Sequence, residues 1–264
     1  MTKREYAEEI ARALDAEVQE VEKANGVVLT GVIRKDGGAV NPCVYIDDFY
    51  EKNATLAEAV NEVKEQIENN HPQFNTDFIK DFEQVKPKLM ARLYNKATNV
   101  PISRSADKYG FDDLIITPVV NFTENGSATT KVNQSLLDMW GTTADEVIDI
   151  ALENAKANAE IRTMEEILMK MMGGDPSMIT PGAPTMMVIT NKSRICGAIS
   201  VLFAKERLEE IFPNGYIVIP SSIHEVIATE IEDTDAIANM IGEVNDTQVG
   251  LVDQLGTKPY TFAA

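Results

Sequence analysis

Asn214-Gly-Tyr-Ile-Val-Ile-Pro-Ser-Ser-Ile-His-Glu-Val-Ile227 carries the longest unbroken strand signal in this 264-residue chain. Tyr216 to Ile219 is a β-branched and aromatic run closed by Asn-Gly on one side and Pro220 on the other, the pattern of a strand around which the rest of the chain could pack. Just beyond it stands His224, one of two histidines. The polar residues around it admit two readings. Ser222-x-x-Glu225 has the spacing of a capping box, in which two side chains satisfy free backbone N–H groups at a helix start. Alternatively His224 is a general base, Ser222 a nucleophile, Glu225 a neighbouring acid and Asp47 a distant orienting carboxylate. No Gly-x-Ser-x-Gly elbow surrounds either serine. His224-Glu225 also opens like a zinc-protease helix, but Ala228 stands where the second histidine belongs.

Working outward, the strand is preceded by a helix over Ala204–Phe212, broken at Pro213-Asn-Gly215. Thr185–Thr190 reads as a strand and Asn191-Lys-Ser-Arg194 as a turn, with Ile195–Phe203 as the expected partner strand. A helix from Asp233 to Ile241 and a short strand over Tyr260–Phe262 complete this end. Three prolines between Asp175 and Pro184 cannot continue a helix. That stretch, 175–184, is expected to link an N-terminal region 1–174 to a C-terminal region 185–264.

In the N-terminal region, Ile10, Leu14, Val18 and Val21 predict one helix over Thr2–Ala24, with Thr2 and Glu5 as its capping box and Asn25-Gly26 as its stop. Val27–Arg34 and Cys43–Ile46 form a hairpin around Asp36-Gly-Gly, and Leu56–Ile67 a second amphipathic helix. Phe74, Phe78 and Phe82 suggest a short helix, and Lys88–Tyr94 reads as strand or helix. Leu114–Asn121 is a strand that Pro118 relegates to an edge or marks with a bulge, closing a hairpin with Ala128–Val132. Helices follow over Asn133–Trp140, ended by Gly141, then from a cap at Thr142 or Thr143 (Thr143-x-x-Glu146 matches a capping box) through Ala155, and over Met164–Met172. The fold class is α+β, a mainly antiparallel sheet flanked by helices.

Forty-two acids against 24 bases give a formal charge of −18. Residues 1–100 carry 18 acids and 13 bases, and residues 101–264 carry 24 and 11. From Glu225 to Asp253 there are eight acids and no Lys or Arg. Such a surface repels nucleic acid and anionic membranes, and the base-free run reads either as a solvated face or as a docking surface for a basic partner protein, mimicry of a nucleic-acid backbone included. No stretch is apolar enough to span a bilayer, and the first residues lack the apolar core of a signal peptide, so a cytoplasmic setting is expected. Cys43 and Cys196 lie too far apart in sequence for a metal spacing. Gly173-Gly174 alone is no phosphate-cradling loop, and no cofactor is expected. Asp47, Asp48 and Glu51 form a candidate carboxylate site for Mg2+ or Ca2+, without the ladder of a calcium loop. Seven of the eleven methionines fall between Met164 and Met187, as core filling or as an adaptable groove. Trp140 reads as a core anchor whose indole N–H needs a partner.

Five segments occur in a telling order: Asn25-Gly-Val-Val-Leu-Thr-Gly-Val, Tyr45-Ile-Asp-Asp-Phe-Tyr-Glu51, Arg92-Leu-Tyr-Asn95, Thr190-Asn-Lys-Ser-Arg-Ile-Cys-Gly-Ala198 and Ile219-Pro-Ser-Ser-Ile-His-Glu-Val226. With them the chain resembles a family of uncharacterised bacterial proteins, domain of unknown function 5688, over about residues 20–230. The resemblance implies a bacterial or phage cytosolic setting and no activity. The function expected from the residues is a non-catalytic protein-interaction module with an acidic C-terminal surface. The alternative is a small hydrolase using Ser222 and His224.

Overall fold

The computed structural model describes the chain except residues 35–40, 70–75, 99, 124–127, 172, 174–183, 231–232 and 264. It divides into two compact units, Met1–Thr76 and Asp77–Ala264.

The first unit begins with helix α1 (Lys3–Leu14), whose Thr2 and Glu5 exchange the two hydrogen bonds of the expected capping box. The helix does not continue to Ala24. Asp15 turns left-handed (φ 51°, ψ 50°), and the N–H of Ala16 reaches back to the Ala11 carbonyl. That ending satisfies a free helix carbonyl at the modest cost of a left-handed Asp. Val18 and Val21 lie on strand β1 (Glu17–Glu22), which pairs antiparallel with β2 (Val28–Ile33), Val18 opposite Val32 and Val21 opposite Leu29. Asn25 and Gly26, both at positive φ (58° and 71°), make the tight turn between them. Two successive positive φ values match the right-handed twist of paired strands, which is why Asn-Gly is a hairpin signal before it is a helix stop.

Strand β3 (Cys43–Tyr45) pairs with β2, as the hairpin reading expects, although Asp36-Gly-Gly lies outside the described residues. Helix α2 (Asp47–Glu51) and helix α3 (Leu56–Asn69) follow. The core of the unit gathers Tyr6 and Ile10 of α1, Val32 and Val44 of the sheet, and Val63 and Ile67 of α3.

The second unit holds two sheets. Phe78, buried in a 3-10 turn (Asp77–Lys80), and Phe82, at the start of helix α4 (Phe82–Val85), replace the expected continuous helix; Phe74 lies outside the described residues. Strand β4 (Leu89–Asn95) resolves the strand-or-helix ambiguity of Lys88–Tyr94, and short β5 (Arg104–Ser105) follows. Strand β6 (Leu114–Asn121) pairs with β4 along one side, and with β5 and β7 (Thr129–Lys131) along the other. Pro118 is therefore in a central strand, contrary to the edge alternative, and the β4 ladder passes it without a bulge. It is tolerated because β5 pairs only with Ile115 and Ile116, and the β7 ladder begins at Val119. The Pro118 carbonyl accepts from Val132 N–H at 3.2 Å, so the missing donor faces this interruption.

Helix α5 (Gln134–Trp140) is capped by Asn133 and ended by a left-handed Gly141. The Trp140 indole donates to the Ile79 carbonyl at 2.6 Å and stacks on Phe82. Helix α6 (Ala144–Asn158) is capped by Thr143; the Glu146 carboxylate reaches the Thr142 hydroxyl. Its buried face, Val147, Ile148, Ala151 and Leu152, packs on β4 and β6.

The five-stranded sheet has the order β12-β10-β11-β9-β8, every neighbour antiparallel. Its strands are β8 (Ala159–Thr163), β9 (Met186–Asn191), β10 (Tyr216–Ile219), β11 (Val226–Glu230) and β12 (Tyr260–Phe262). Helices α7 (Met164–Met171), α8 (Lys205–Ile211) and α9 (Thr234–Thr247) are interleaved with them. The expected linker falls almost wholly outside the described residues, and β8 and β9, on either side of it, are neighbours in this sheet. Ile195–Phe203 is not a strand: Gly197–Phe203 is a 3-10 helix, buried from Gly197 to Leu202, against β9. A short apolar run buried on all sides has no periodicity to separate helix from strand, and both edges of β9 are already taken by β8 and β11. Of the methionine cluster, Met187 is buried, Met164, Met169 and Met186 are half-buried and Met171 is exposed. Met172 and Met178 lie outside the described residues. The fold is α+β with antiparallel sheets and flanking helices. Among the described residues no helix is long and apolar enough to cross a membrane.

Candidate functional site

Strand β10 is buried along its whole length, and β11 returns beside it with Ile219 opposite Ile227. The connection therefore has to reverse within Pro220–Glu225. Ser222 makes the reversal: its N–H donates to the Glu225 carbonyl at 3.1 Å, and its hydroxyl accepts from the N–H of His224 at 3.1 Å. This is a side-chain-assisted turn. Ser222 and Glu225 do not open a helix, because the chain enters β11 at Val226.

What the turn presents is a row of acceptors to the start of the buried 3-10 helix. The His224 Nδ1 accepts from Cys196 N–H at 3.1 Å, the His224 carbonyl from Gly197 N–H at 3.0 Å, and the Ile223 carbonyl from Ala198 N–H at 3.2 Å. The first N–H groups of a helix have no partner inside it, and buried ones need partners elsewhere. Here three consecutive donors are satisfied by one turn from a different part of the chain. The Thr190 hydroxyl adds a second donor to the His224 carbonyl, at 2.9 Å. Gly197 is required by the closeness of this contact. A Cβ there would lie 2.4 Å from the Thr190 Oγ1, 2.5 Å from the Asn191 nitrogen and 2.8 Å from the His224 oxygen.

With Nδ1 accepting, the neutral ring carries its proton on Nε2, which lies 3.6 Å from the Asp253 carboxylate. Asp253 also holds the turn through its backbone, its carbonyl accepting from Ile223 N–H at 2.9 Å. The Cys196 thiol is buried, and burial pushes its pKa up, the opposite of what a reactive thiolate needs. No hydrogen bond joins the Ser222 hydroxyl to the imidazole. The ring nitrogen nearest the chain is engaged by Cys196, and the hydroxyl by the backbone of His224. Glu225 lines a small cavity of about 40 Å3 that also includes Arg162 and Arg194.

Two of the sequence segments singled out above, Thr190–Ala198 and Ile219–Val226, thus interlock through this clasp. The model of a family of unknown function, DUF5688, matches residues 2–264. The chain belongs to the DUF5688 family. The match extends to both ends beyond the span of the quoted segments. No curated protein and no solved structure matches the chain.

In this DUF5688 protein the carboxylates Asp47, Asp48 and Glu51 belong to the first unit and are not brought together as ligands. Asp47 is buried at the start of α2, where one oxygen accepts from the Lys3 ammonium at 2.6 Å and the other from Thr30 N–H at 2.8 Å. Both lone-pair sites facing the protein are in use. Asp48 is exposed and pairs with Lys52 at 3.2 Å, and Glu51 is exposed. Among the described residues no group of three His, Cys, Asp or Glu side chains is placed to hold a metal ion. The Asp47–Thr30 bond joins two more of the quoted segments, Asn25–Val32 and Tyr45–Glu51.

Sequence reasoning singled out Ser222, His224 and Glu225 but read a helix start there and missed what the turn holds. Cys196, Gly197 and Asp253 come to His224 from 28, 27 and 29 residues away, as their numbering shows. The one local hint was the quoted Cys196-Gly197-Ala198 itself, a glycine inside an apolar run where a bulky residue is otherwise expected.

Proposed function

We propose that this DUF5688 protein is a protein-interaction module that docks a basic, amphipathic segment of another protein on the outward side of α9. One observation carries the reading: an exposed apolar ridge set within the most acidic, base-free part of the chain. Helix α9 turns Ile237, Ile241 and Asn245 inward, and Ile237 and Ile241 pack on Ile217 and Ile219 of β10. Met240 and Val244, one helical turn apart on its flank, stay 43% and 37% exposed. Ala236 extends the line one turn earlier, and Leu251, 64% exposed, follows the helix. Asp235, Glu243 and Asp246 are exposed on the adjoining arc, and no Lys or Arg occurs between Arg207 and Lys258. Exposed apolar groups rimmed by charge mark interaction sites more often than isolated ones do. Carboxylates without counter-charges select a basic partner and speed its encounter. The same acidity disfavours a second copy of this chain as the occupant.

The test is fluorescence anisotropy with a labelled Lys/Leu amphipathic helical peptide and with its Glu/Leu counterpart. The basic peptide binds and the acidic one does not. Binding weakens as salt rises past the range where the Debye length falls below about 8 Å. Met240→Asp with Val244→Asp removes the apolar anchor, and Glu243→Lys with Asp246→Lys removes the charge. If the peptide binds both double variants as tightly as the parent, α9 is not the docking face. Sedimentation of the parent alone separates this occupant from self-association.

A further inference from the structure

The second unit contains a cavity of about 260 Å3 between the start of β4, the end of α6 and the turn after β9. Among the described residues thirteen line it and none of these is acidic, although acids outnumber bases 42 to 24 in the chain. Four asparagines line it, Asn121, Asn154, Asn158 and Asn191, with Lys88 and Lys192.

Each of these side chains has a fixed part and an available part. The Asn154 amide nitrogen donates to the Lys86 and Leu89 carbonyls at 2.8 and 2.9 Å, and the Asn158 amide nitrogen to the Asn154 carbonyl at 2.9 Å. Both amides are thereby oriented, and their side-chain oxygens have no hydrogen-bond partner among the described residues. Asn121 is oriented the other way. Its oxygen accepts from Thr123 N–H at 3.0 Å and from the Thr123 hydroxyl at 3.4 Å, leaving its NH2 as the available group. Asn191 bonds the Ile195 carbonyl and the Ser193 hydroxyl, which fixes the turn that carries Lys192. The Lys88 ammonium lies over the Phe78 ring at 4.9 Å, and that of Lys192 donates to the Ala157 carbonyl at 3.3 Å. Neither pairs with a carboxylate among the described residues.

Oriented acceptors beside an oriented donor suit groups that both donate and accept, and hydroxyls do so. Two ammonium groups that pair with no carboxylate among the described residues call for an anion. The volume is at the small end of ligand sites, of monosaccharide rather than dinucleotide size. We propose that this cavity binds a small polyhydroxylated anion, a sugar phosphate or a sugar acid. The negative surface of the chain as a whole does not oppose it, because the cavity wall is a local exception to that charge. The site is separate from the α9 surface and does not depend on the docking proposal.

Isothermal titration of the full chain with glucose 6-phosphate, ribose 5-phosphate, glucuronate, glucose and inorganic phosphate tests it. At least one anionic sugar binds with a Kd below about 1 mM, and glucose and inorganic phosphate bind at least about tenfold more weakly, one decade per ~1.4 kcal/mol. Preference for a sugar phosphate assigns a phosphate, and preference for glucuronate assigns a carboxylate. Lys88→Glu and Lys192→Glu each weaken binding about tenfold, and Asn158→Leu about threefold, the scale of a lost charge-assisted or neutral hydrogen bond. All three positions are exposed, so the variants keep the fold, checked by circular dichroism. The proposal is overturned if no anionic sugar binds, if glucose or phosphate alone binds as tightly, or if binding survives both lysine reversals.

Discussion

Replacing His224 by Ala removes the acceptor for Cys196 N–H and leaves that buried donor unpaired, because the surrounding acceptors already serve Gly197, Ala198 and Ile223. Leaving a buried polar group unsatisfied costs about 1–3 kcal/mol. The Nε2–Asp253 contact, at 3.6 Å and partly exposed, adds little, since exposed ion pairs contribute about 0–1 kcal/mol. A loss of about 2 kcal/mol follows. For a unit the size of Asp77–Ala264, at about 2–4 °C per kcal/mol, Tm falls by roughly 4–8 °C. Asn can place its Oδ1 where Nδ1 sits, so His224→Asn recovers most of the loss and stays within about 3 °C of the parent. Differential scanning calorimetry of the three proteins reads these differences, and amide hydrogen exchange at Cys196 localises them. The clasp argument is refuted if His224→Ala melts with the parent, or if Asn restores nothing that Ala loses. The first result would show that the imidazole stabilises nothing, and would return His224 to consideration as a chemical group.

Three further outcomes follow from the same packing. Gly197→Ala drives a Cβ into the Thr190 hydroxyl and two backbone atoms, an overpacking that costs about 1–3 kcal/mol; it should lower Tm by several degrees (about 2–4 °C per kcal/mol) while Gly250→Ala, with only a 3.9 Å contact to Asp253, lowers it less. Asp47→Ala strands the Thr30 N–H and frees Lys3, so the Thr30 amide loses exchange protection and unfolding becomes easier by about 1–3 kcal/mol, whereas added Mg2+ does not stabilise the parent. Hydrogen bonds from Thr2 and Thr55 hold the carboxyls of Glu5 and Glu58 below the ordinary value of 4.5. A depressed carboxyl stabilises the fold above its unfolded pKa and loses that contribution as pH falls through the folded one. The double variant Glu5→Gln, Glu58→Gln should therefore show a shallower loss of stability below pH 4.5 in acid titrations followed by circular dichroism.

The elements that could be read from the chain alone are those whose cause lies within three or four residues. The Thr2–Glu5 capping box, the Thr143 cap and the Gly141 stop each satisfy backbone groups of the helix they border, so the residues that decide are neighbours in sequence. The buried strand Tyr216–Ile219 was legible for a similar reason, since four apolar β-formers between turn residues have few other places to go. The antiparallel α+β class followed from such pieces. The acidic, base-free segment was equally plain, and α9 sets within it the ridge on which the docking proposal stands.

The failures share a different cause. Val18 and Val21 have helical spacing and become strand because β2 offers them partners, a contact that local periodicity does not contain. Asn25-Gly26 was read as a helix stop, and only the pairing of its flanks made it a hairpin turn. Ile195–Phe203 had no periodicity at all, and its helical form rests on the acceptors that Ile223 and His224 bring from the next hairpin. Pro118 pointed to an edge or a bulge because sequence does not show where the neighbouring strands stop. The clasp itself was half legible: Ser222, His224 and Glu225 stood out after the strand, but their partners Cys196, Gly197 and Asp253 arrive through the sheet. Sequence by itself determined the caps, the apolar strands and the charge of the surface, because those are local balances of hydrogen bonding and burial. Tertiary structure alone decided what His224 does, since the demand it answers, three unpaired N–H groups on a buried helix, exists only once the second unit has folded.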